Sequence, residues 1–230
     1  MVVLDNHNRH VVLPRQVKSC RLIRFVGQGG MAWVFEGQVE GRTEPVAVKI
    51  LMPYLLVDEA ALQRFRREVQ TLQTIKHPRV LRRLGQGKWK TLPCLLTPLM
   101  PQGSLRQVIE GLRREKNVCD FDRALQWFQD VLEGLQALHE MNLVHRDVKP
   151  SNILIDGAGR AVIADLGIAR KLDSQAASLT ATGTTVGTYQ YMAPEQFDNP
   201  EGVDQRADLY AAGVVFYELR VWTLRDCSDP

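Results

Sequence analysis

Eight consecutive residues, His145-Arg146-Asp147-Val148-Lys149-Pro150-Ser151-Asn152, put a carboxylate, an amine and an amide on a segment too short and too polar to be core. Leu143 and Val144 precede it and Ile153, Leu154 and Ile155 follow, so the octapeptide reads as a loop clamped between two buried anchors. Pro150 removes a backbone donor and disfavours helix at Lys149, which supports an irregular path. An Asp, a Lys and an Asn converging on one point meet the needs of phosphoryl transfer. One group orients a hydroxyl, one neutralises phosphate and one holds a metal ion. The plain alternative is a polar turn that happens to carry these letters, and the surrounding elements must decide between the two.

Composition sets loose bounds. A chain of 230 residues allows one large domain or two smaller ones. Its 45% hydrophobic and 24% charged residues are ordinary for a soluble globular protein. The net charge of +3 is too weak a bias to indicate nucleic acid or a membrane surface as partner. Cys20, Cys94, Cys119 and Cys227 stand far apart without paired metal spacing and read as reduced intracellular thiols. Residues 1–10 lack the apolar core of a signal peptide, and the apolar run 209–217 is too short to cross a bilayer. The expectation is a cytoplasmic protein with no membrane segment.

The positioning elements begin after a loosely held arm, residues 1–20, that shows no clear period. From Arg21 a strand-like alternation leads to Gly27-Gln28-Gly29-Gly30-Met31-Ala32-Trp33-Val34. A glycine-rich turn lets backbone amides approach phosphate oxygens with no Cβ in the way. A dinucleotide-binding fold would need a helix straight after the glycines. Instead Trp33-Val34-Phe35-Glu36-Gly37 continues as strand, Gly41 sits in a turn, and Pro45-Val46-Ala47-Val48-Lys49-Ile50 is another strand. The pattern is an antiparallel meander, with Ala47 and Lys49 on one face. Asp58 then caps a helix running to about Lys76 and stopped by Pro78. Leu62, Phe65, Val69, Leu72 and Ile75 form its apolar stripe, and Glu68 lies at the edge of that stripe. A carboxylate there is costly unless paired. Lys49 is one natural partner; Arg64, Arg66 and Arg67 offer a local surface pair instead.

Pro93-Cys94-Leu95-Leu96-Thr97 reads as a short buried strand, and residues 98–103, with two prolines and a glycine, as a connector between a strand-rich part and a helical part. Ser104 caps a short helix to about Lys116. Asp122 caps a longer one, with Leu125, Phe128, Val131, Leu132, Leu135 and Leu138 as its stripe. Beyond the octapeptide, Ile153-Leu154-Ile155 and Ala161-Val162-Ile163 flank Asp156-Gly157, a hairpin signal. The hairpin would return Asp165 beside Asn152, giving hard oxygen ligands suited to magnesium. Residues 171–185 are rich in Ser, Thr, Ala and Gly, and a long loop of this kind is functional or disordered.

Taken in order, these pieces resemble the eukaryotic-type (Hanks-type) Ser/Thr protein kinases over residues 21–219. Gly29-Gly30-Met31-Ala32 and Ala193-Pro194-Glu195-Gln196 resemble the bacterial branch. The resemblance implies an α+β, bilobal protein kinase-like fold. Its N-lobe, residues 21–97, would hold a five-stranded antiparallel sheet and one helix. A mainly helical C-lobe, 98–219, and an irregular tail, 220–230, would follow.

The same resemblance implies the cofactors ATP and Mg2+, or Mn2+ in its place. Val26, Gly27, Gln28, Gly29, Gly30 and Val34 would cover the nucleotide, with Ala47, Thr97 as gatekeeper, and Leu99 and Met100 in the hinge. Lys49, paired with Glu68, would contact the α- and β-phosphates. Asp147 would accept the substrate hydroxyl proton, Lys149 would steady the γ-phosphate, and Asn152 and Asp165 would hold the metal. Lys149 and Thr188 resemble the Ser/Thr rather than the Tyr branch. Arg146 before Asp147 resembles kinases whose activation loop is ordered by phosphorylation. Among Ser174, Ser178, Thr180, Thr182, Thr184 and Thr185, the four threonines are the favoured acceptors. The implied partners are protein substrates bearing Ser or Thr and a second copy of the chain for trans-autophosphorylation, with no nucleic acid.

Four positions depart from the family pattern: Ala32 for the third glycine, Leu166 for a usual phenylalanine, Pro98 for an acidic residue, and the chain end. After Leu219 the family's last helices, and the arginine that pairs with the position of Glu195, have no match. An uncovered apolar helix of Leu209, Val214, Val215, Phe216, Leu219 and Trp222 is therefore expected. The alternative function is a truncated, catalytically impaired nucleotide-binding module acting as a scaffold. A small-molecule kinase of the aminoglycoside type shares the Asp and Asn but does not account for Lys149, Thr188 or Ala193-Pro194-Glu195.

Overall fold

Every second residue after Cys20 is placed to face either a core or solvent, and the chain answers with strands. The computed structural model describes residues 2–4, 10–12, 16–17, 19–29, 31–166, 186–198 and 202–221. Gly30, Thr180, Thr182, Thr184, Thr185, Ser174, Ser178 and Trp222 lie outside these described residues. The chain divides into two compact units, one of Met1–Thr74 with Leu81–Leu99, the other of Ile75–Val80 with Met100–Pro230.

In the first unit β1 (Val2–Leu4) pairs antiparallel with β2 (His10–Val12) as a separate ribbon. The main sheet holds β3 (Gln16–Val17), β4 (Cys20–Gln28), β5 (Ala32–Val39), β6 (Val46–Leu51), β7 (Gly85–Trp89) and β8 (Leu92–Pro98), in the order β3-β4-β5-β6-β8-β7. Six strands therefore replace the five expected. The additional one is β3, two residues paired with Arg21 and Cys20, too short to show any periodicity in sequence. Trp33, Phe35, Val46, Val48, Ile50 and Cys94 form the core on one face of the sheet. The other face, read through the register, carries Val34 opposite Lys49, Lys49 opposite Leu95, and Ala47 opposite Thr97. Helix α1 (Glu59–Thr74) starts where Asp58 Oδ1 accepts the Ala61 N–H at 2.9 Å, a standard N-cap. Its stripe buries Leu62, Phe65, Val69 and Leu72.

The second unit is mainly helical. Helix α2 (Leu105–Arg114) begins in a capping box, the Gln107 N–H donating to Ser104 Oγ and the Ser104 N–H to Gln107 Oε1. Helix α3 (Phe121–His139) is capped by Asp120, not Asp122; Asp120 Oδ1 accepts the Arg123 N–H at 3.1 Å. Its inner face also differs from the expected stripe. Ala124, Trp127, Asp130, Val131, Gly134, Leu135 and Leu138 are buried, while Leu125, Phe128 and Leu132 lie half-buried at the flank. Two features turn the helix this way. Gly134 admits a close neighbour, and the Asp130 carboxylate is compensated by Arg160 Nε at 3.0 Å and the Ala161 N–H at 2.8 Å.

Strands β9 (Ile153–Ile155) and β10 (Ala161–Ile163) form the expected hairpin in antiparallel register. Its turn is built on Asp156, with Gly159 rather than Gly157 as the positive-φ glycine. Asp156 Oδ1 accepts the N–H groups of Ala158 and Arg160, and Gly159 (φ 77°) takes the left-handed position before the return strand. Helix α4 (Glu195–Asp198) and helix α5 (Arg206–Arg220) complete the unit. The expected apolar face of α5 is only partly open. Val215 and Leu219 are buried, and the Phe216 ring lies 4.9 Å from that of Phe128. Leu209, Tyr210 and Tyr217 are exposed. Among the described residues no helix is long and apolar enough to cross a membrane.

Gly134 offers a direct test of this packing. A Cβ there would stand 2.7 Å from the Arg79 carbonyl oxygen and 2.8 Å from Ile163 Cδ1. Gly134→Ala should therefore lower unfolding free energy by about 1–3 kcal/mol, the usual cost of overpacking, in a urea titration.

Candidate active site

In the first unit, alternation along β6 puts Ala47 and Lys49 on the face away from the core, and the hydrogen-bonded register fixes what stands beside each. Gly27 of β4 lies opposite Val34 of β5, which lies opposite Lys49. The glycine turn is closed by the Gly29 N–H donating to the Ala32 carbonyl at 2.9 Å, which joins β4 directly to β5. Val26 and Gln28 are exposed on the outgoing strand. Lys49 Nζ reaches Glu68 of α1 at 2.9 Å to Oε1 and 3.3 Å to Oε2, both side chains being largely buried. Of the local arginines, Arg66 contacts Glu59 instead, at 3.5 Å. Thr97 is buried, and Leu99 donates its N–H to the Pro45 carbonyl at the end of this unit. Met100 is the first residue of the next segment and half-buried.

The second unit brings the octapeptide groups together. Lys149 Nζ lies 2.9 Å from Asp147 Oδ2 and 3.1 Å from Oδ1. The Asn152 amide donates to the Asp147 carbonyl at 2.8 Å and to Asp147 Oδ2 at 3.0 Å. With Nδ2 so engaged, Asn152 presents Oδ1, contacted by Ser151 Oγ at 3.3 Å, as a neutral oxygen ligand. The hairpin ladder continues one step past β10, because the Ala164 N–H donates to the Asn152 carbonyl at 2.8 Å. Asp165, the next residue, is exposed and adopts φ 51°, a left-handed turn that leaves the strand line. An amide oxygen and an exposed carboxylate at the same end of one hairpin fit a hard divalent cation that keeps several waters or phosphate oxygens of its own. Among the described residues no group of three or more His, Cys, Asp or Glu side chains is arranged to hold a metal by itself.

The loop holding these groups has no strand or helix ladder, so its backbone polar groups need partners from elsewhere. Asp208, in the first turn of α5 and 1% exposed, supplies them. Its Oδ2 accepts the His145 N–H at 2.8 Å and its Oδ1 the Arg146 N–H at 2.7 Å. A carboxylate can only accept, so His139 Nε2, 2.8 Å from Oδ2, is the donor in that contact. Arg146 sits at φ 63°, a conformation a non-glycine residue holds only when its surroundings impose it. The buried His145 ring spans the loop. Its Nδ1 accepts the Asp147 N–H at 3.3 Å, which places the proton on Nε2, and Nε2 then donates to the Ala164 carbonyl at 3.1 Å. Asp208 is not among the residues expected at this site from sequence. The signal available was a carboxylate inside the otherwise apolar run Ala207-Asp208-Leu209.

A second buried carboxylate, Glu218, ties the segment Val186–Tyr191 to the helices. It accepts from the Tyr191 hydroxyl at 2.5 Å, Arg113 Nη2 at 2.8 Å and Arg106 Nη1 at 3.3 Å. Burial, then the hydrogen bond and charge of Glu218, push the Tyr191 phenol well above its ordinary range, against a smaller opposing effect of Arg106. Thr188 lies in the same 3₁₀ segment, Val186–Tyr191. The Arg146 guanidinium reaches the Val203 carbonyl at 3.2 Å.

Comparison with known proteins follows these features. A family model described as the protein kinase domain matches residues 20–224. A probable serine/threonine-protein kinase PknB of Bifidobacterium longum is 35% identical over 210 residues, covering 86% of this chain and 29% of its own length. The serine/threonine-protein kinase PknL of Mycobacterium tuberculosis is 36% identical over 194 residues, covering 84% of this chain and 47% of its own. The serine/threonine-protein kinase pkn2 of Myxococcus xanthus is 34% identical over 203 residues, covering 86% and 24%. The chain thus spans less than half the length of these curated relatives.

Two measurements test the two carboxylates. Asp208→Ala strands two backbone donors and a histidine and should cost about 3–5 kcal/mol of stability by denaturant titration, as for a buried charge network that loses one partner. For Tyr191 the sign follows from its raised folded pKa. Above about pH 10 the unfolded chain sheds the phenolic proton first, so stability is full below that range and falls as pH rises through it. Tyr191→Phe should flatten that alkaline slope in melting experiments across pH.

Proposed function

Because the chain belongs to the protein kinase family, we propose that it is an ATP-dependent Ser/Thr protein kinase, transferring the γ-phosphoryl group of ATP to hydroxyls of proteins. The observation that carries the reading is the convergence of Lys149 Nζ and Asn152 Nδ2 on the Asp147 carboxylate. In this reading Asp147 Oδ1, which among the described residues takes only Lys149, orients the substrate hydroxyl and accepts its proton. Lys149, a compact cation on a flexible stem, steadies the γ-phosphate. Lys49, held by Glu68, contacts the α- and β-phosphates, and the glycine-rich stretch Gly27, Gln28, Gly29 and Gly30 covers them. Val26, Val34, Ala47, Thr97, Leu99 and Met100 take the adenine side. Asn152 and Asp165 would hold a divalent cation, which would supply neutralisation of phosphate charge, and their hard oxygens suit Mg2+ first and Mn2+ as a substitute.

Arg146 in this reading pairs with a phosphate on Thr180, Thr182, Thr184 or Thr185, added in trans by a second copy of the chain, and Thr188 lies beside the substrate hydroxyl. Relatives whose names carry Ser/Thr specificity support protein hydroxyls as substrate. Buried thiols at Cys20, Cys94 and Cys119 fit a reducing, cytoplasmic compartment. No observation favours the scaffold alternative, since Asp147, Lys149, Asn152 and Asp165 are all present.

The test is incorporation of label from γ-labelled ATP with Mg2+ into a generic Ser/Thr protein and into the chain itself. Asp147→Asn should lower the rate about 10²–10⁴-fold, the usual contribution of a positioned base. A blank wild type, with nucleotide shown bound, would overturn the reading.

A further inference from the structure

The peptide between Arg146 and Asp147 is the last backbone unit before the carboxylate, and its carbonyl is held from one side chain in a different segment. Gln196 Nε2 donates to the Arg146 carbonyl oxygen at 3.2 Å. The same amide works at its other end too. Gln196 Oε1 accepts the Ala193 N–H at 3.0 Å, while the Gln196 N–H donates to the Ala193 carbonyl at 2.9 Å. The side-chain bond is the N3 half of a capping box and the other a backbone turn bond, both closing around Pro194, a residue suited to the first helical position. Gln196 can therefore reach Arg146 only from a formed Ala193-Pro194-Glu195 turn.

The surrounding bonds show what that contact controls. Asp208 fixes the N–H groups of His145 and Arg146, His145 Nδ1 fixes the Asp147 N–H, and Asn152 fixes the Asp147 carbonyl. Among the described residues, the bond to the Arg146 carbonyl is the link in this run that comes from the 193–198 segment. With φ at 63°, Arg146 has its neighbouring peptide planes set by such contacts rather than by local preference. The side chain also has to be an amide. A carboxylate could keep the cap on Ala193 but has no hydrogen to give the Arg146 carbonyl.

We propose that Gln196 is a positioning residue, coupling the folded Ala193-Pro194-Glu195 turn to the orientation of Asp147; this rests on the kinase reading above. The segment 193–198 thereby reports its own fold to Asp147 through one amide side chain.

Gln196→Glu separates the two roles, because Glu serves the capping position as well as Gln does. Its kcat should fall about tenfold with KM for ATP changed by less than about twofold, the signature of a misplaced group rather than weakened binding. Hydrogen exchange should quicken in residues 144–149 and stay unchanged in residues 193–198. Gln196→Ala, which loses both bonds, should quicken exchange in both segments. A Gln196→Glu protein with wild-type kcat, whatever its exchange, overturns the positioning role; so does lowered kcat with unchanged exchange in residues 144–149. An inactive wild type sinks the kinase reading alone, and the exchange comparison then decides the coupling by itself.

Discussion

One buried carboxylate, that of Asp208, carries the loop that holds Asp147, Lys149 and Asn152. The octapeptide turns too tightly to join a ladder, and without Asp208 its first two N–H groups would lie desolvated with nothing to meet them. The same pair of bonds holds Arg146 in the left-handed region, where an L-residue sits about 1–2 kcal/mol above its usual conformations. Strain at the residue before Asp147 is thus maintained from a helix, α5, whose Val215 and Leu219 anchor it in the core. The placement of Asp147 is in this sense a property of α5 as much as of the loop.

The second unit uses that device repeatedly. Asp130 on α3, Asp208 and Glu218 on α5 are each 2% exposed or less, and each joins a helix to an irregular stretch. Isolated, such charges would be prohibitive; the cost is offset because every one takes three or more donors with short, directed bonds. The donors differ with the task. Asp130 takes a forked guanidinium and a strand amide, Glu218 two guanidiniums and a phenol, Asp208 two loop amides and an imidazole.

These joints are also where the sequence was hardest to interpret. Alternation in β5 and β6, the Asp58 and Ser104 caps and the β9–β10 hairpin were all legible, because each is written in residues close together in the chain. Glu68 was legible too, by the rule that a carboxylate at the edge of an apolar stripe needs a partner, and Lys49 was a visible cation. The same rule applies to Asp130, Asp208 and Glu218, which interrupt apolar runs just as Glu68 does. Asp208 escapes it because its partners are mostly backbone amides, which no letter marks, and Asp130 and Glu218 because their arginines lie 30 and more than 100 residues away. Gly159 in place of Gly157 and Asp120 in place of Asp122 are smaller cases: which of two suitable residues takes a special position depends on dihedral angles that composition does not fix. Strand β3 has too few residues to have a period at all.

The two edges of the six-stranded sheet have a consequence of their own. One edge is β3, only two residues long; the other is β7, Gly-Gln-Gly-Lys-Trp, broken by glycines and followed by Lys90. A stretch that short offers a foreign strand little to pair with, and glycines and lysines weaken whatever pairing begins. The sheet can therefore hold Trp33, Phe35 and Ile50 wholly out of water while its described edges offer neighbouring molecules a poor template for intermolecular β-structure.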